Sequence, residues 1–281
     1  MLVAGLLFAC MGVFVKLGAE FFTSTELVFY RSLFGLVVIL ALVRLRWRSL
    51  ISEYPWVHLW RGVSGFAALM LFFYSISRLP LATAVTLHYT APLFLALLLT
   101  LVLRERPHFP LIVALILGFI GVILLLRPTL QEGRFAAGAL GLFAGFLSGV
   151  AYLNIKKLGT LGEPEWRVVF YFTVVCTLGS GLFMATSELH AITLQNLWIL
   201  GGLGVTATLA QLALTRAYHT GKTLVVANLA YSTVIFASLL GVLLWEETLS
   251  ILSWVAIALI IISGILAVRA TPRPPGPADI V

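Results

Sequence analysis

Charge is what this chain has least of. Only 10% of its 281 residues are Asp, Glu, Lys or Arg, where a soluble domain carries roughly 25%. Water is thereby excluded as the main solvent for its surface. The two cysteines, Cys10 and Cys176, both fall in apolar runs, which excludes a disulfide framework as the source of the fold. No His, Cys and acidic residues gather at metal-ligand spacing, and there is no glycine-rich phosphate loop or nucleophile elbow. These absences argue against an enzyme, against a resident metal or cofactor, and against coupling to ATP within this chain. The formal charge of +7 raises the question of nucleic acid, but the Lys and Arg residues lie between apolar runs and form no continuous basic face.

What is present is hydrophobicity, at 61% of the chain. A helix needs about 20 apolar residues to cross a hydrocarbon core of ~30 Å. Runs of that kind fall near Leu2 to Ala19, Ser24 to Val43, His58 to Ser77, Leu81 to Leu103 and Phe109 to Leu126, and again near Ala136 to Ile155, Val168 to Thr186, Asn196 to Ala217, Thr223 to Trp245 and Ile251 to Val268. Their continuous apolar character excludes barrel strands, which alternate and are shorter. The first run has no basic leader and continues into Lys16, so it reads as a span and not as a cleaved signal. The expectation is an all-α polytopic membrane protein of ten transmembrane helices. Lys and Arg concentrate at one set of span ends, including Arg44, Arg46, Arg48, Arg104, Arg106, Lys156, Lys157 and Arg216, leaving Arg78, Arg127 and Arg134 at the other. By the positive-inside rule both termini are cytoplasmic. The Pro-rich segment 271–281 reads as a disordered cytoplasmic tail.

The chain repeats itself. Lys16-Leu17-Gly18 falls on Lys157-Leu158-Gly159, and Val28-Phe29-Tyr30 on Val169-Phe170-Tyr171, at one common offset. One residue further, Tyr89 meets Tyr231, Phe94 meets Phe236 and Glu105 meets Glu247; Gly121 then meets Gly264. The expected units are residues 1–130 (spans 1 to 5) and 136–270 (spans 6 to 10). Five spans is an odd number, so the second unit must enter the membrane inverted. Inverted repeats yield two states of similar energy facing opposite sides, the basis of alternating access.

Each half carries an aromatic and small apolar run closed by Glu: Tyr89-Thr90-Ala91-Pro92-Leu93-Phe94 to Glu105, and Tyr231-Ser232-Thr233-Val234-Ile235-Phe236 to Glu247. With Phe29-Tyr30-Arg31-Ser32 and the basic stretch Arg44 to Arg48, this resembles the EamA repeat of the drug/metabolite transporter superfamily over nearly the whole chain. The resemblance implies a ten-helix secondary carrier, monomeric, in a bacterial inner membrane. Spans 1 to 4 and 6 to 9 would line a central cavity and spans 5 and 10 would be peripheral. It implies a small organic cargo such as an amino acid or derivative, often moved outward, with a proton as a possible coupling partner. An exporter of drugs or cationic metabolites is the alternative, and a non-transporting scaffold the alternative of another class.

Polar residues inside spans are expensive and mark function or packing. Arg31 lies about 10 Å into span 2, at ~1.5 Å per residue; it either binds a carboxylate cargo, caps carbonyls or pairs with Glu26. His88 lies at similar depth in span 4 and suits cargo binding, proton coupling or a structural hydrogen bond. Tyr89 points about 100° away from it, so one of the two is expected to face the cavity. Tyr231 and Asn228 share a face of span 9, Gln211 shares one with Thr208 in span 8, and Tyr152 shares one with Ser148 in span 6; all are candidate cargo contacts or interhelical hydrogen bonds. Tyr74 adds an aromatic wall. Trp60 and Arg61, near the end of span 3, read as ordinary interface residues. Lys16 and Glu26 are a candidate gate pair, and Pro92 is expected to kink span 4 just inward of His88.

Overall fold

The computed structural model describes residues 1–45, 50–103, 109–131, 134–185, 189–221, 226, 229–246 and 249–270. Asn228, Glu105, Glu247 and the 271–281 tail lie outside them. Among the described residues there are eleven helices and no strand: α1 (Leu2–Gly18), α2 (Ser24–Leu45), α3 (Pro55–Arg78), α4 (Leu81–His88), α5 (Ala91–Leu103), α6 (Phe109–Gln131), α7 (Phe135–Thr160), α8 (Glu165–Met184), α9 (Leu194–Thr220), α10 (Ser232–Trp245) and α11 (Ile251–Ala270). Because α4 and α5 are two pieces of one span, these make ten crossings. Six spans meet the length and hydropathy of a membrane-crossing helix outright, and four are shorter apolar helices. The outward side chains are apolar, with Ile123, Leu182 and Leu243 each about two-thirds exposed or more; hydrocarbon, and not water, is the solvent that suits them.

Local chemistry sets the helix ends. Thr23 and Glu26 form a reciprocal capping box at the start of α2: the Glu26 amide donates to Thr23 Oγ1 at 3.3 Å, and the Thr23 amide donates to the Glu26 carboxylate at 2.7 Å. Thr193 and Asn196 do the same for α9. Pro55 opens α3 at a position where its missing N–H costs nothing. Gly162, at φ +78°, closes α7 while the Glu163 amide reaches back to the Leu158 carbonyl, the pattern that satisfies a helix end and turns the chain sharply.

Packing follows the repeat. α1 packs on α9 as α3 packs on α7, and α3 meets α8 as α2 meets α9. α2 packs on its own repeat mate α8, and α6 on its mate α11. A pseudo-two-fold axis therefore passes through the α2/α8 and α6/α11 contacts, in the plane of the membrane. On that axis a residue meets its own counterpart: the Arg31 guanidinium lies 5.8 Å from the ring centre of Phe172, the residue at the same position of the second half.

Candidate functional site

Span 4 breaks before Pro92. α4 ends at His88, Tyr89 takes φ −78°, ψ 14°, and α5 begins at Ala91. A proline in the second position of α5 cannot donate to the His88 carbonyl, so the ladder is interrupted there. Thr90 closes the gap by donating its hydroxyl to the Leu87 carbonyl at 2.6 Å. The exposed carbonyls are covered by α7, whose Gly141, Gly145 and Gly149 form a small-residue stripe against this span. A Cβ on Gly145 would lie 2.5 Å from Thr90 Oγ1, 2.8 Å from the Leu87 carbonyl and 3.0 Å from that of His88. Tyr231, the counterpart of Tyr89, likewise stands at a turn before α10. The first repeat thus interrupts its fourth span at Tyr89, in the manner of carriers that bind cargo at broken helices, while Tyr231 keeps helical dihedrals of φ −64°, ψ −16°.

Around the end of α4 is a central cavity of about 60 Å³, room for several waters at about 10–15 Å³ each. Its wall comes from spans 1 to 4 and 6 to 9. The polar part consists of Arg31, Arg61, His88, Tyr89, Ser148, Tyr152, Gln211 and Thr233; the apolar part includes Phe72 and Phe172. His88 stacks on Phe72, with ring centres 4.0 Å apart and planes 16° apart, and its Nε2 is 3.4 Å from Ser148 Oγ. Tyr152 stacks on Tyr218 at 5.3 Å. Among the described residues, the lining contains no carboxylate.

Arg61 is the residue the sequence reading misplaced. Read as an interface residue, it is instead buried, with its guanidinium 4.1 Å from the centre of the Phe172 ring. The reason is depth: α3 starts at Pro55 and not at His58, which sets Arg61 nearly two turns inside. Its guanidinium folds back over Gly65 into the volume that a Cβ there would fill, so the Arg61 and Gly65 spacing of one helical turn was the available signal. Trp60, its neighbour, is exposed as interface residues are. Phe72, which stacks on His88, and Phe172, which lies under the Arg61 guanidinium, complete the wall.

Other candidates move. His88 and Tyr89 both reach the cavity, because α4 ends there and the space wraps around its tip. Tyr231 does not: its phenol occupies the space beside Gly264 of α11 and is absent from the lining. Tyr74 lies at the other end of α3, 37% exposed, in an outer pocket with Arg78, Glu20 and His190. It is one residue past the fully buried Phe73, and a single 100° step turns it out. Lys16 and Glu26 are not partners. Lys16 lies over the Trp245 ring at 4.7 Å, and Glu26 binds Thr23 and His190. Arg31 likewise has no contact with Glu26.

Those Glu26 contacts bridge the two repeats. His190, in the α8 to α9 loop, donates its backbone N–H to Glu26 Oε1 at 2.8 Å and places Nδ1 2.9 Å from Oε2. On the face that carries the chain ends, the α2 to α3 loop meets the start of α8 instead: Ser52 Oγ donates to Glu163 Oε1 at 2.6 Å, Arg167 donates to Oε2 at 3.0 Å, and His58 Nε2 is 3.5 Å away. The repeat exchanges these two places, Glu26 matching Arg167. One carboxylate and one histidine therefore tie the halves together at each face. Burial pushes the Glu163 carboxyl up, but hydrogen bonds from Ser52 and Arg167 and the Arg167 charge hold it, on balance, below the ordinary carboxylate value. A carboxyl depressed in the fold stabilises fully above its unfolded value of about 4.3 and loses that contribution as pH falls through the lower folded value. The thermal midpoint of the detergent-solubilised protein is expected to drop below about pH 4, with Glu163→Gln less stable at neutral pH and lacking this part of the acid dependence. A Gln variant as stable as the parent would exclude the bridge.

A model described as the EamA-like transporter family matches residues 1–127 and 136–269. The pseudopaline exporter CntI of Pseudomonas aeruginosa is 30% identical over 267 residues, covering 95% of this chain and 91% of its own. An uncharacterized transporter of Helicobacter pylori is 28% identical, covering 94% and 92%, and a riboflavin transporter of Vibrio cholerae is 28% identical, covering 78% and 74%. A crystal structure of a protein 19% identical superposes with a TM-score of 0.69 over 96% of both chains.

Proposed function

We propose, since this chain belongs to the EamA-like transporter family, that it is a secondary carrier of a small carboxylate-bearing metabolite, an amino acid derivative among the candidates, working by alternating access. The family and its relatives are transporters and not enzymes; cargo and direction are the finer reading. One observation carries it: two buried guanidiniums, Arg31 and Arg61, face a cavity whose lining, among the described residues, holds no acid. An unpaired charge in a membrane protein costs several kcal/mol, and a cargo carboxylate supplies the missing partner with a planar, two-point match. A cationic cargo would need an acid in the wall. Glu26, the acid nearest the interior in sequence, is already held by Thr23 and His190.

Alternating access follows from the same parts. Both guanidiniums are buried in this state, so loading requires the halves to separate at one face. The Glu26 and Glu163 bridges are the contacts that such a separation breaks, one at a time. With the chain ends on the cytoplasmic side, Glu163 closes the inner gate and Glu26 the outer one. His88, packed against Phe72 and Ser148, positions the tip of α4 and is the candidate group for a coupling proton.

Reconstituted protein is expected to take up radiolabelled carboxylates in a saturable way and to leave organic cations outside, with and without a pH gradient. Saturable flux of cations alone would refute the reading.

A further inference from the structure

Within the reading above, on which this inference rests, the cavity carries one positive charge more than a simple carboxylate needs. Arg31 projects from α2 and Arg61 from α3, and both lie against the ring of Phe172, at 5.8 Å and 4.1 Å from its centre. Each is less than 5% exposed. Arg31 Nε and Arg61 Nε and Nη1 are buried with no hydrogen-bond acceptor, and the neighbouring Gln211 Nε2 is unmatched as well. Two like charges within about 10 Å, at an effective dielectric constant of about 20, repel by roughly 2 kcal/mol. No described residue of the lining offsets this: its side-chain oxygens belong to Tyr89, Tyr152, Ser148, Thr233 and Gln211, all uncharged.

A monocarboxylate would engage one guanidinium and leave the other buried and unpaired. A zwitterion would add an ammonium group to a wall without an acid. A phosphate monoester gathers its two charges on one centre, while the two guanidiniums enter from different helices. We infer that the cargo is a small organic dicarboxylate, Arg31 taking one carboxylate and Arg61 the other across Phe172. Each pairing is a two-point, charge-assisted contact in a site from which most water is excluded, the setting in which such contacts are strongest. The aromatic faces of Phe72 and Phe172 would then hold the carbon chain between the two ends.

The test is binding to the purified full-length protein, read as thermal shift and as displacement of a radiolabelled dicarboxylate. The probes are C4 to C6 dicarboxylates, monocarboxylates of equal carbon number, a phosphate monoester, a zwitterionic amino acid and an organic cation. Dicarboxylates are expected to bind about 10- to 100-fold more tightly than the matched monocarboxylates, the range for one buried charged hydrogen-bonding partner. Arg31→Gln and Arg61→Gln are each expected to abolish that ratio. Because the ratio is taken within one protein, lower stability of a variant does not mimic the effect, and the parent's ratio alone decides if a variant cannot be purified. Equal affinity for mono- and dicarboxylates overturns this inference and leaves the carboxylate carrier standing, as does tightest binding of the phosphate monoester. Absence of any dicarboxylate binding at millimolar concentration overturns the inference, and binding of cations alone overturns both.

Discussion

Arg61→Met is expected to abolish transport and, at the same time, to raise the thermal midpoint of the protein. Arg61 is 3% exposed, with Nε and Nη1 unpaired and no acid among the described residues of the cavity wall. Its burial costs several kcal/mol, and its contact with the Phe172 ring returns only part of that, about 2 kcal/mol. Methionine keeps the length and the contact with the ring while removing the unsatisfied charge, so stability should rise by about 1–4 kcal/mol. Transport has the opposite dependence. Losing one charge-assisted partner for the cargo should lower uptake by about 10- to 100-fold or more. Thermal scanning and proteoliposome uptake on the same preparation check both. A variant that is less stable and still transports would show that Arg61 is a structural residue. The opposite signs separate a binding residue from a packing residue, because removing a residue that only packs does not raise stability.

Gly145→Val should prevent correct assembly of the bundle, and Gly145→Ala should lower stability by about 1–3 kcal/mol with a parallel loss of uptake. The first added carbon would lie 2.8 Å and 3.0 Å from the carbonyl oxygens of Leu87 and His88. Those are backbone atoms at the break in span 4 and cannot rotate away; α7 would have to withdraw, carrying Ser148 and Tyr152 off the cavity wall. Gly201 in α9 is the control, since a Cβ there meets nothing within 4 Å. Gly201→Ala should be neutral or stabilising by up to about 1 kcal/mol through helix propensity alone. Detergent melting curves and yields of monodisperse protein distinguish the two sites. Equal effects at both would mean that close approach at Gly145 is not what holds span 4.

Arg31, His88, Tyr89, Tyr152 and Gln211 were all readable as polar residues at depth in apolar runs, and all five reach one cavity. Burial of a costly group is a local property of the pattern, so the sequence exposes it. Arg61 was lost through a three-residue error in where α3 begins, since three residues are nearly a full turn and about 5 Å of depth. Tyr74 and Tyr231 failed for a different reason. Each was correctly placed along its helix, but one residue is 100° of rotation, and only the neighbouring helices decide which sector faces the cavity. The partners of Glu26 and Glu163 were wholly hidden: His190 lies 164 residues from Glu26 and Ser52 lies 111 from Glu163, and no periodicity connects them.

The sequence by itself determined the solvent, the number of spans, the duplication and, through an odd number of spans per copy, the inversion of the second half. All of these follow from composition and from spacing along one dimension. The tertiary structure alone decided that two arginines from different helices share one aromatic ring with no acid between them among the described residues, and that a carboxylate ties the two halves at each face. Those are matters of helix rotation and of approach distances set by single glycines, quantities that exist only once the helices have packed.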